Sequence, residues 1–147
     1  MLHPLVPARC LVPWLLLSCG PPKEDVREKA REVQRLGQTA SACWDALRWK
    51  EYQAASSCLE TSSDQLAFLE SWGGPEASYV TGYEILRVEV SDRLSNHEGP
   101  RLHDGSVILR VERIRSKDQV VESRTFSQQW YRTALGWYAE RDSEEGF

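Results

Sequence analysis

Hydrophobic periodicity changes once along this chain, at Gly73-Gly74-Pro75, and that change restricts the fold more than any other feature. Upstream, Val26, Ala30, Val33, Gly37, Ala40, Trp44 and Leu47 recur at intervals of 4, 3, 4, 3, 4 and 3 residues. That is one face of a long helix starting near Lys23 or Glu24. Its first half carries charges at pairing distance: Asp25/Lys29, Glu28/Arg31 and Glu32/Arg35. A turn near Trp49-Lys50-Glu51 leads to a second helix, Tyr52 to Leu59, and Ser62-Ser63-Asp64 caps a third, Gln65 to Trp72. Downstream the period is two. Tyr83 to Val90 sets Leu86, Val88 and Val90 against Arg87 and Glu89, and Ser106 to Arg115 sets Val107, Leu109 and Val111 against Arg110 and Glu112. A polar loop, Ser91 to Gly105, separates these strands. A turn at Lys117-Asp118 leads into a long strand, Gln119 to Arg132. Thr133-Ala134-Leu135-Gly136 then turns the chain into a last short strand, Trp137 to Glu140. Helices followed by consecutive hairpins predict an α+β fold, with N-terminal helices packed on one face of a curved antiparallel sheet of about four strands. The expected domain covers 24–141, followed by a frayed tail at 142–147.

Composition is that of a folded domain, 41% hydrophobic and 27% charged, and 147 residues suffice for one core. The net charge is −4 and the basic residues are scattered among acidic ones. Nucleic-acid binding calls for a basic stripe, so it is not expected.

The first 22 residues follow different rules. They hold one charge, Arg9, ahead of the charged run Lys23-Glu24-Asp25. Between lies the apolar stretch Cys10 to Leu17. As a helix it would cover roughly 12 Å, far short of the ~30 Å bilayer core, so it reads as a signal-peptide core behind a weakly positive start. Leu16-Leu17-Ser18-Cys19 directly after it resembles the lipobox of bacterial lipoproteins. The resemblance implies removal of residues 1–18, lipid attachment at Cys19, and a tether at 19–23 with the membrane as the first partner. Several acyl chains on one residue, at ~0.8 kcal/mol per buried CH₂, give stable anchoring. Gly20 after the lipid-bearing cysteine implies a bacterial cell envelope address, at the outer membrane facing the periplasm or surface.

With Cys10 removed and Cys19 lipidated, Cys43 and Cys58 remain. In an oxidising compartment two thiols suggest one disulfide; two unpaired core cysteines are the alternative. The midpoint of 43 and 58 falls inside the turn at 49–51, so a helix hairpin can bring the pair together.

The order of elements over about residues 38–140 resembles the nuclear transport factor 2-like superfamily, whose small members include lumazine-binding-like domains. The resemblance is carried by Leu47, Tyr52 and Ala55 in the helix hairpin. Its second part is the closing run Trp130-Tyr131-Arg132-Thr133-Ala134-Leu135-Gly136-Trp137-Tyr138. It implies a cone-like sheet enclosing a pocket. The superfamily hosts both enzymes and binding proteins, so fold alone does not decide between them. An enzyme of the isomerase or dehydratase type would need an ionisable group deep in the cone. His97 and His103 fall in the polar loop and read as solvated, and Ser-His-Asp, Cys-His and phosphate-loop patterns are absent from the sequence. No catalytic residue, metal ligand or cofactor is assigned. Phe126 and Trp130 share a strand face, and with Trp44 and Trp137 they are the candidate pocket or interface residues. The expected function is that of a non-catalytic, membrane-anchored lipoprotein binding a small apolar ligand or an envelope protein. The alternatives are the isomerase- or dehydratase-type enzyme of the same fold and a structural or assembly lipoprotein using the Lys23–Leu36 helix.

Overall fold

The computed structural model describes residues 23–74, 77–92 and 99–141. The spaced stripe forms α1 (Lys23–Arg48), and Leu36, Ala40, Trp44 and Leu47 on it are fully buried. The stripe is not buried throughout: residues 24–31 are all exposed, including Val26 and Ala30. Of the expected charged pairs, Glu32/Arg35 forms and Asp25/Lys29 does not. Arg35 pairs with Glu32 at 2.7 Å, whereas Lys29 reaches across to Asp92 at 2.8 Å. α1 ends in paired bonds from Glu51 N–H to the Ala46 carbonyl and from Lys50 N–H to the Leu47 carbonyl. Lys50 takes the left-handed conformation, φ 60°, that this terminator requires. Its ammonium lies 4.4 Å from the centre of the Tyr79 ring, which ties the strained turn to the sheet.

The second helix is shorter than its pattern suggests. α2 covers Tyr52–Ser56. Beyond it the chain tightens into i→i+3 bonds, Ser57 to Ala54, Cys58 to Ala55 and Leu59 to Ser56. α3 runs Ser62–Trp72 and starts three residues before the expected Gln65. Thr61 is its cap: the hydroxyl accepts the Asp64 N–H at 3.1 Å and donates to the Asp64 carboxylate at 2.6 Å.

Four strands follow: β1 (Tyr79–Val90), β2 (His103–Ile114), β3 (Val121–Arg132) and β4 (Trp137–Ala139). They form an open antiparallel meander in sequence order with the helices on one face, an α+β architecture. β2 and β3 pair without interruption from His103↔Arg132 to Ile114↔Val121. β1 carries two bulges against β2, at Thr81 and at Leu86, where the register shifts. Such bulges bend a strand and increase its twist. Alternation holds on β2, where Val107, Leu109 and Val111 are buried. α1 and β4 press onto this face so closely at Gly105 that a Cβ there would lie 2.5 Å from Leu36 and 2.9 Å from Trp137.

The first two strands begin earlier than expected and the third later. β1 begins at Tyr79, four residues before Tyr83, and β2 at His103, three before Ser106. The loop expected at 91–105 is therefore shorter, and backbone bonds from Ser91 to Asp104 and from Leu102 to Arg132 extend the ladder into it. Polar side chains masked this ladder, which depends on the backbone alone. β3 begins at Val121 rather than Gln119, because Gln119 adopts φ 56° to close the hairpin. The tail at 142–147 lies outside the described residues.

Candidate functional site

Three of the four nominated aromatics converge under the sheet. Trp44 comes from α1, and Phe126 and Trp130 come from the inward face of β3. The Trp44 and Phe126 rings are 5.9 Å apart between centres. Trp44 and Trp130 each donate an indole N–H to the same oxygen, Oε1 of Gln128, at 3.2 Å. Two donors on one atom fix the amide's orientation, because the opposite flip would present an NH₂ group to both. Gln128 is 4% exposed, and its Nε2 has no hydrogen-bond partner among the described residues. The Arg113 guanidinium lies 5.9 Å from the centre of the Phe126 ring and 5.8 Å from that of Trp72. Trp44 and Trp130 are themselves fully buried, so side chains occupy the space around this amide.

Trp137 is placed elsewhere. Its indole N–H donates to Oε2 of Glu32 at 2.9 Å, and Arg132 donates to the same oxygen at 3.2 Å. Arg35 holds the other carboxylate oxygen at 2.7 Å. Burial pushes the Glu32 carboxyl up, but the Trp137, Arg35 and Arg132 interactions together outweigh it, and the group sits below its usual range. Arg132 also donates to the Thr133 carbonyl. This cluster joins α1 to both strands of the last hairpin.

Cys43 and Cys58 are bridged, with Cα atoms 6.2 Å apart. The bridge forms one wall of an open groove of about 600 Å³ along the second half of α1. Gln38, Ala42, Ala46, Trp49 and Ala54 line it, and Trp137 closes one side. Trp49 is 70% exposed, with the Arg48 guanidinium 5.6 Å from its ring centre. A second groove, of about 440 Å³, lies along the first half of α1 between Glu24, Glu28 and Glu32 and Arg27, Arg31 and Arg35.

His103 is not a solvated loop residue. It opens β2, is 5% exposed, and sets Nδ1 3.1 Å from the Ser91 carbonyl and Nε2 3.9 Å from Glu28. The strand pairing of its neighbours carries it inward. His97 and Cys19 lie outside the described residues. Tyr131, on the opposite sheet face, is pushed up to about 12 by burial and by its bond to Glu60 at 2.7 Å. Among the described residues no helix is long and apolar enough to cross a membrane.

Gln128 and Glu32 were not singled out from the sequence. Gln128 had a usable signal, since alternation puts it on the face of Phe126 and Trp130. Glu32 had a misleading one: its spacing to Arg35 suggested a surface pair. In comparison with known proteins, no family model matches the chain and no curated protein is significantly similar to it.

Proposed function

We propose that this chain is a lipid-anchored envelope protein whose domain is non-catalytic and works by docking a protein along the outer face of α1. The observation that carries the reading is the pair of grooves that run end to end along that helix, with an exposed tryptophan at the far end. Large exposed aromatics beside an apolar groove are the usual anchors of protein interfaces. Trp44 and Trp130 are buried in the core, whereas Trp49 is exposed beside the groove, which favours the outer surface. The lipobox-like Leu16-Leu17-Ser18-Cys19 supports the anchor, and α1 begins at Lys23, four residues later. An anchor at Cys19 would hold the helix start close to the bilayer. Helices followed by a four-stranded meander agree with the nuclear transport factor 2-like resemblance.

The test is made in bacterial cells producing the full chain. Intact mass should show a start at Cys19 with acyl chains, and Cys19→Ala should leave the membrane fraction. A photo-crosslinking residue at Ala42 should give an adduct of discrete mass, while one at Glu84, on the sheet's outer side, should not. An unmodified mature protein refutes the anchor, and equal labelling from both positions refutes the surface.

One observation favours a second reading. Nε2 of Gln128 is a buried donor that meets no acceptor among the described residues, and it would suit an acceptor oxygen on a small, largely apolar ligand that displaced a neighbouring side chain. A retained molecule in native mass spectra, lost in Gln128→Leu, would establish that reading in place of the first.

A further inference from the structure

We infer that the protein docked on α1 is a second copy of this chain, paired in parallel about a two-fold axis running along the helix. The inference rests on the reading of α1's outer face as an interface and names its occupant. Glu24, Glu28, Arg31, Arg35, Gln38, Ala42, Asp45 and Trp49 follow one another at intervals of 4, 3, 4, 3, 4, 3 and 4, and every one is exposed. They form a seam about 38 Å long at 1.5 Å per residue, on the side of α1 opposite the buried stripe.

Charge sets the direction of pairing. Glu24 and Glu28 form one exposed row, continued inward by the buried Glu32, and Arg27, Arg31 and Arg35 form the other, with the groove between them. At 100° per residue the rows lie about 60° apart around the helix. A two-fold axis along the helix brings each flank of one copy against the other flank of its partner, so acidic row meets basic row. An antiparallel pair overlapping along the whole seam instead sets the charged half of each helix against the other copy's groove, where Glu28 would meet Ala46 and Cys43 rather than an arginine. The charges therefore select the parallel pair.

The lower half of the seam obeys the same symmetry. Trp49 lies on the flank of the arginines, while Ala46 and Cys43 lie toward the flank of the glutamates. In the parallel pair the Trp49 of one copy comes over Ala46 and the groove of the other at a similar height. Ala42 between them is small enough for close approach. Trp49 carries Arg48 beside its ring, and the groove it would enter is bordered by Asp45 and Glu51 with no basic residue among its lining. The arginine thus arrives at an acidic rim. The same symmetry puts both helix starts at one end, as two anchors in one bilayer require.

The test uses the full chain in membranes, with the photo-crosslinking residue at Ala42. The expected product has twice the protomer mass, with the linked site within about one turn of residue 42 in the partner. A face made acidic at its start, Arg27→Glu with Arg31→Glu, should lose it, as should one made basic there, Glu24→Lys with Glu28→Lys. Producing the two variants together should restore it as a mixed pair. Trp49→Asp, at a side chain that is mostly exposed, should lose it without unfolding the domain. A double-mass product indifferent to the charge changes, or linked far from residue 42, overturns the parallel pair. A product of another mass that still depends on Trp49 overturns the second copy but keeps the docking surface. No product of any mass overturns both.

Discussion

Replacing Glu32 with glutamine tests whether the cluster between α1 and the last hairpin holds them together as a charged unit. Glutamine keeps the shape and can still accept the Trp137 indole N–H, but it removes the charge facing Arg132 and Arg35. Hydrogen bonds to charged groups contribute about 1.5–3 kcal/mol each. The Arg35 side chain is 58% exposed, and exposed pairs are worth little. Arg132 is 18% exposed and supplies most of the effect. The expected loss at pH 7 is therefore about 2 kcal/mol, a fall of roughly 8 °C in Tm for a domain of this size. The pH dependence carries more information. Glu32 is held below its usual 4.5 in the folded protein, so the folded state releases this proton more readily than the unfolded chain. Its contribution is complete above the unfolded value and disappears as pH falls through the folded one. Thermal melts of wild type and Glu32→Gln from pH 7 to pH 3 should therefore show a gap that is constant down to about pH 5 and closes below it. A gap of the same size at pH 3.5 and pH 7 would refute the assignment, as would a variant as stable as wild type at pH 7.

Three further outcomes follow from packing and the bridge. Gly105→Ala pushes a methyl group onto Leu36 and Trp137, and should cost about 1–3 kcal/mol by denaturant titration. Gln128→Leu keeps the volume but takes the shared acceptor from two indoles, for a loss of about 2 kcal/mol and a changed near-ultraviolet dichroism band. Cys43→Ser with Cys58→Ser opens a link spanning 15 residues, worth about 3 kcal/mol, and reductant should lower the wild-type Tm but leave the double variant unmoved.

The helical stripe from Ala40 to Leu47 and the alternation in β2 were legible because burial on one face imposes a period on residue types, while Leu36, buried beside Gly37, lay outside the stripe as read. The bridge was legible for a related reason: a turn at 49–51 makes 43 and 58 equidistant from the bend. Strand starts were not legible where a bulge or polar residues break the alternation, as at Tyr79 and Val80 ahead of the bulge at Thr81 and at His103 and Asp104. The short α2 escaped because its sequence suits a helix, while the tightened turn that follows it is stabilised from outside, by the Ala139 N–H bonding the Cys58 carbonyl at 2.9 Å. The candidate residues divided in the same way. Trp44, Phe126 and Trp130 meet because strand alternation and helix phase agree, but Trp137 is drawn away by Glu32. No local pattern foretells a partner 105 residues distant.

The two bulges in β1 matter for a hazard common to open sheets. β1 is an outer strand, and a long regular outer strand is a template on which foreign strands can assemble. Here the uninterrupted pairing segments are at most four residues long: Tyr79–Val80, Gly82–Ile85 and Arg87–Val90. An incoming chain in extended conformation would lose step at Leu86. The irregularities that shape the sheet thus also guard its flank, allowing many copies to crowd together without knitting into fibrils.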